Sequence, residues 1–230
     1  MLRRIFLTAL IAGTVAGLFA AGLQHLKLIP LIAAAEVYEA AAPQTDQQAG
    51  AHSDHQHQAT PEWEPSPGIE RAGYPLVADL LAGIGFALLL TGAQALARSR
   101  GYAIDARQGL LWGAAGFAVF ALAPAIGLPP ELPGMSAADL AARQQWWLLT
   151  AAATAAGLGI IVFANPIALR VAGAVLILAP HLIGAPAAPH GAGGVPAELA
   201  AEFATASLAT AAAFWLLLGS VSGWLYRRFE

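Results

Sequence analysis

Six stretches of this chain carry no charged side chain: 5–26, 80–97, 108–130, 144–169, 171–197 and 203–226. Each approaches or exceeds the ~18 apolar residues that mark a bilayer-crossing helix. Inside hydrocarbon no water is at hand for backbone N–H and C=O groups, so each run must close its hydrogen bonds within itself, as a helix does. Over 230 residues the charged fraction is 11%, against roughly 25% in soluble domains. The pattern predicts an all-α, polytopic transmembrane helical bundle of about six spans, near 5–26, 75–97, 108–127, 145–164, 167–185 and 203–226. Five spans are the alternative, because 144–197 is interrupted by Arg170 alone among charged residues. Asn165-Pro166 supplies the turn that divides it, since a residue before proline avoids helical backbone.

With six spans, Arg3, Arg4, Arg98, Arg100, Arg107, Arg170, Arg227 and Arg228 fall on one side, and Arg71 and Arg143 on the other, with Lys27 near the outer end of the first helix. Positive loops stay in the cytoplasm, so both termini are expected inside. The acids segregate oppositely: Glu36, Glu39, Asp46, Asp54, Glu62, Glu64, Glu70, Glu131, Asp139, Glu198 and Glu202 lie outside. A negative outer mouth concentrates cations. The basic start Arg3-Arg4 before an apolar body resembles a signal peptide, but the body is longer than a signal core, and a retained first helix is expected. Trp146 and Trp147 suit the headgroup region as an aromatic belt.

Several function classes close on composition. The chain has no cysteine and two methionines, which removes thiolate chemistry and a soft-metal route. Its single lysine, Lys27, has no P-loop around it, so nucleotide hydrolysis is not expected here. A net charge of −3 without a basic aromatic cluster speaks against nucleic acid. No nucleophile elbow, H-E-x-x-H or pair of intramembrane acids is present, and the chain does not read as an enzyme.

The polar residues that remain point to a metal ion. His52, Asp54, His55 and His57 lie within six residues of the polar segment 36–74, a predicted outer loop. Imidazole and carboxylate together suit borderline divalent ions such as Co²⁺, Ni²⁺ and Zn²⁺, and binding weakens below the ordinary histidine pKa of about 6.5. Within or at the rims of the helices, His25 (beside Gln24), Asp79 and His181 fall at similar depth toward the outer face. Ionisable groups in spans are costly and usually face an interior or a water-filled route; two imidazoles and a carboxylate from three helices would make an N/O cation site. Gly13/Gly17 and Gly219/Gly223 are G-x-x-x-G pairs that allow close helix contact. A weak echo relates Ala115-Gly116 through Ala123-Pro124-Ala125-Ile126-Gly127-Leu128-Pro129 to Ala172-Gly173 through Ala179-Pro180-His181-Leu182-Ile183-Gly184-Ala185-Pro186. It would place a proline near the outer end of two parallel helices, a place where a site can open.

Longer motifs carry a resemblance. Arg3-Arg4-Ile5-Phe6, Pro30-Leu31-Ile32 with Ala35-Glu36-Val37-Tyr38-Glu39, Glu70-Arg71-Ala72-Gly73 and Trp112-Gly113-Ala114-Ala115-Gly116-Phe117 come first. Gly127-Leu128-Pro129-Pro130-Glu131-Leu132-Pro133-Gly134, Arg143-Gln144-Gln145-Trp146-Trp147 and Ala179-Pro180-His181-Leu182-Ile183-Gly184-Ala185-Pro186 follow. Together they resemble the CbtA family of probable cobalt transporter membrane subunits, along nearly the whole chain. The resemblance implies a polytopic bacterial inner-membrane uptake component associated with cobalamin biosynthesis, often described with five spans. It also implies a partner, CbtB, a small single-span protein with a His-rich end.

The resulting expectation is a multi-pass subunit for Co²⁺ uptake, with no resident cofactor. Its loop histidines recruit the ion, and His25, Asp79 and His181 pass it inward. A non-transporting metal sensor or scaffold, and a carrier of another divalent cation such as Ni²⁺, are the competing readings. Association with further copies of the chain stays open.

Overall fold

The protein is described by a computed structural model covering residues 2–41, 69–188 and 194–229. The described chain is helical throughout, with no strand. Helix α1 (Leu2–Leu23) passes through a π turn (Gln24–Leu28) into α2 (Ile29–Ala41). Then come α3 (Ile69–Ser99), α4 (Ala106–Phe117), a second π turn (Ala118–Leu122), α5 (Ala123–Gly127), α6 (Leu140–Phe163), α7 (Ile167–Ile183) and α8 (Ala197–Arg228). Five helical runs are long and apolar enough to cross a membrane: Leu2–Tyr38, Gly73–Ser99, Ala106–Gly127, Leu140–Phe163 and Ala197–Arg228. The sixth, Ile167–Ile183, is apolar but shorter. Large apolar side chains such as Leu10, Leu18, Leu81, Leu89, Leu148 and Val175 face outward, as a surface turned to lipid requires.

Three antiparallel pairs are packed backbone to backbone, and glycine makes the approach possible. In α1 and α3, Gly17 lies against the Asp79 carbonyl and Gly83 against the Gly13 carbonyl. In α4 and α8, Gly109 meets the Gly219 carbonyl, and Gly113 the Trp215 carbonyl. In α6 and α7, Gly157 meets the Gly173 carbonyl. A Cβ at any of these glycines would collide with a neighbouring backbone. In lipid, where apolar side chains gain nothing by leaving solvent, such close van der Waals contact is what holds helices together. The two G-x-x-x-G pairs read from the sequence are thus packing surfaces. A core of Ala9, Ala12, Ala16, Ala87, Leu90, Trp215 and Leu218 joins α1, α3 and α8.

Each π turn ends one residue short of a proline, with Ile29 or Ala123 between them. Ile29 donates to the Gln24 carbonyl ahead of Pro30, and Ala123 donates to the Ala118 carbonyl ahead of Pro124. Proline has no N–H, and its ring crowds the carbonyl four residues back. Widening the turn by one residue relieves that crowding and keeps the helix going. The helix therefore runs past 26 to Ala41, and Glu36 rides on α2 rather than in a loop. The echoed prolines, both buried, differ in setting: Pro124 follows a π turn, whereas Pro180 stands in the last turn of α7.

The connections sort by end. Residue 2, the 99–106 and 163–167 turns and residue 228 share one end, which carries eight of the eleven basic residues. There the Arg4 Nε donates to the Tyr226 carbonyl at 2.7 Å, and the guanidinium lies 3.7 Å from the Tyr226 ring centre. The opposite, far end holds residue 41, the start of α3, 127–140, 183–188 and 194–197. Its 128–139 segment is pinned by an Arg143–Glu131 ion pair of 2.8 Å and by buried Leu132, which packs with Ala35 and Phe203. Asp139 caps α6, its Oδ1 accepting from the Ala142 N–H at 2.9 Å. Trp146 does not sit in a headgroup belt. It is 7% exposed, because its ring fills the space where Gly127 and Ala185 converge; Trp147, one residue on, faces out.

Candidate metal-ion pathway

The candidate residues sit toward the far end. The π turn puts Gln24 and His25 at the place where α1 passes α3. There the Gln24 Nε2 donates to the Asp79 Oδ1 at 2.9 Å. Asp79 is half-buried, and the His25 ring is exposed on the adjoining position of the turn. A π turn rotates the side chains that follow it relative to an α-helical register, and such turns recur at functional sites. Gln24, the first residue of the turn, presents its amide to a carboxylate across two helices.

His181 is half-buried and stands edge-on to Trp146, with ring centres 5.8 Å apart. It is thus held by an aromatic neighbour, in a different corner from the Gln24–Asp79 bond. Among the described residues no three His, Asp or Glu side chains come together as a ready metal cluster; His25, Asp79 and His181 are not gathered into one site. His52, Asp54, His55 and His57 lie outside the described residues.

Beyond the π turn, a groove of about 510 Å³ opens between α2 and the start of α8. Val37 and Tyr38 line one wall, and Glu198 and Glu202 the other. The two glutamates are one turn apart, so both face the groove. The sequence places them among the outer acids without marking them as a pair; their i, i+4 spacing at a helix start is the signal. Deeper in, α3, the second π turn and α8 contribute an aromatic layer. Phe120 stacks on Trp215 (centres 5.3 Å apart, planes within 5°) and tilts on Phe86 at 5.2 Å; Phe86 and Trp215 are 5.0 Å apart. Phe86 lies seven residues past Asp79, about 10 Å along the helix axis. Polar groups thus give way to an apolar aromatic layer along the bundle, an arrangement that opposes the passage of water and ions.

No curated protein and no solved structure matches the chain. The family model CbtA, described as a probable cobalt transporter subunit, matches residues 2–227. With that match over nearly the full length of an all-helical, lipid-facing bundle, the chain belongs to the CbtA family of probable cobalt transporter subunits.

Proposed function

We propose that this subunit takes Co²⁺ from the far end of the bundle, that this end faces outward, and that the ion moves toward the arginine-rich end in the cytoplasm. The observation that carries the reading is the Gln24–Asp79 hydrogen bond on the π turn, a carboxylate within a span beneath a glutamate-lined groove. A carboxylate at that depth is expensive to keep, and its use is to attract a cation. Eight of the eleven basic residues share the opposite end, which supports an inward-facing N-terminus by the positive-inside rule.

The loop histidines His52, His55 and His57 with Asp54 act first in this reading, as a weak collector. Glu198 and Glu202 line the mouth. His25 and Asp79 take the ion from it, and His181 borders the route at the far end. A small single-span partner with a His-rich end, CbtB-like, completes the transporter in a bacterial inner membrane. With no nucleotide site in the chain, the membrane potential supplies the drive, at roughly 2.3 kcal/mol per charge per 100 mV and about twice that for a divalent ion.

The test is the metal content of cells that express the chain with and without the partner, offered trace Co²⁺, Ni²⁺, Zn²⁺ and Mn²⁺ together. Selective cobalt accumulation that needs the chain supports the reading. No accumulation of any metal, with the protein inserted, moves the assignment to a membrane sensor or scaffold; nickel accumulation moves it to another divalent ion. Selectivity is a sharp criterion, since a plain N/O site favours Ni²⁺ over Co²⁺.

A further inference from the structure

The eight basic residues at the arginine-rich end are all arginines, with no lysine among them. Among the described residues a single acid, Asp105, stands at that end. Its Oδ1 is engaged in capping α4, accepting from the Gln108 N–H at 2.9 Å. A guanidinium presents its donors as a planar fork that grips a phosphate through two parallel hydrogen bonds. Three of these arginines belong to two turns that the fold brings together.

The first turn joins α3 to α4. The Tyr102 N–H donates to the Ala97 carbonyl at 3.2 Å and the Gly101 N–H to the Arg98 carbonyl at 3.0 Å. This pairing closes a helix where the residue just past its end takes a positive φ, and Gly101, with φ 91°, supplies it. The closure leaves Arg100 and Tyr102 exposed beside the start of α4, where Arg107 is exposed as well. The second turn joins α6 to α7, and there the Arg170 Nε donates to the Ala164 carbonyl at 2.9 Å. Aromatic rings fasten one turn to the other: Phe163 meets Tyr102 edge-on, with centres 5.0 Å apart, and Trp112 at 6.4 Å. Among the described residues Arg100, Arg107 and Arg170 meet no carboxylate. The surface beside them is apolar. Leu111, one turn after Arg107, and Val162 and Ile167, flanking the α6–α7 turn, are all exposed.

Guanidiniums bordering exposed hydrocarbon suit an anion that itself carries hydrocarbon. For a chain embedded in a bilayer that anion is a lipid headgroup phosphate. A free phosphate would meet the charge and leave the apolar half of the corner uncovered. We propose that Arg100, Arg107 and Arg170 hold the headgroup of an anionic phospholipid where the α3–α4 and α6–α7 turns meet, with an acyl chain along Leu111 and Phe163. The bound lipid ties the α6–α7 pair to the α3–α4 corner, a join that the protein itself makes there with rings. This site goes beyond the proposed transport and does not depend on it.

The experiment reconstitutes the full chain in bilayers and reads quenching of Trp112 by lipids brominated in their acyl chains, taken as the difference between the chain and its Trp112→Phe variant. Brominated phosphatidylglycerol is expected to quench Trp112 at a mole fraction about fivefold lower than brominated phosphatidylcholine, the ratio that one arginine–headgroup contact supplies. Arg107→Gln with Arg170→Gln brings the two lipids within about twofold of each other. Arg227→Gln with Arg228→Gln removes equal charge at the same end and keeps the preference. Arg100→Gln with Arg107→Gln, which leaves the Arg170–Ala164 bond in place, repeats the test should the first pair fail to insert, and the same loss is expected. Equal quenching by both lipids in the wild type overturns the site. A control pair that loses the preference as fully as the first pair overturns it too, since the attraction then belongs to the whole end. Displacement of the lipid by excess glycerol phosphate makes the corner a general anion site and overturns the lipid.

Discussion

In the proposed route, Asp79 is the residue on which the outer half turns. Its described partner, Gln24, is a neutral amide, so the carboxylate is oriented without being neutralised and its charge stays on offer to a cation. Asp79→Asn keeps the shape and the capacity to bond Gln24 but removes the charge. Cobalt uptake is expected to fall by at least about tenfold, equivalent to ~1.4 kcal/mol, with unchanged membrane levels on an immunoblot. Uptake equal to wild type removes Asp79 from the route. This residue was readable in the sequence because an acid in an apolar run is conspicuous. His25 and His181 were readable as residues but not as neighbours, because the side of the bundle to which a helix turns a ring depends on helix pairing, which one chain's periodicity does not specify.

At the scale of the element, the two π turns show how a local defect becomes a feature. Proline could be expected to stop a helix, and the polar residues after 36 read as loop; instead Pro30 is accommodated by one extra residue in the turn, and α2 carries on to Ala41. The compensation was invisible in the sequence, because it depends on packing against α3 and α8 that keeps the widened helix in place. Pro30→Ala returns the missing N–H and lets the α-helical register close. Thermal stability in detergent is expected to hold or rise, by up to ~1 kcal/mol or a few degrees in Tm. Cobalt uptake is expected to fall, because α2, which follows the turn, rotates the Val37–Tyr38 wall of the groove away from Glu198 and Glu202. Unchanged uptake together with higher stability makes the turn a packing accommodation alone. The glycine contacts were more legible than the turns: small residues four apart in an apolar run point to a close crossing whatever the partner. The partners themselves, Gly109 for Gly219 and Gly83 for Gly13, came from the structure.

For the molecule as a whole, the charge-free runs marked an all-helical bundle but passed over α2, which carries Glu36, and the short α7 is the helix whose path through a bilayer has to be argued. Its seventeen residues extend about 26 Å at 1.5 Å each, short of the ~30 Å hydrocarbon core. Yet α7 packs antiparallel to α6 along Gly157 and Gly173, and its end reaches the level of Trp146, where His181 meets that ring. A helix that pairs with a candidate span and returns to its starting level is expected to cross the membrane, with the bilayer thinning locally at modest cost. The chain contains no cysteine, so single cysteines report topology without background. Asn165 and Ala187, at opposite ends of α7, are both exposed. With a membrane-impermeant thiol reagent on intact cells, Ala187→Cys is expected to label and Asn165→Cys to label after permeabilisation alone. A re-entrant α7 leaves both positions on one side, and the two cysteines then respond alike. In that case the chain has five crossings, the C-terminal Arg227-Arg228 pair moves outside against the positive-inside rule, and α8 would run opposite to the direction that the antiparallel Arg4–Tyr226 contact with α1 requires. The six-crossing arrangement satisfies the charge distribution and the helix pairing together, which is why differential labelling is the outcome expected.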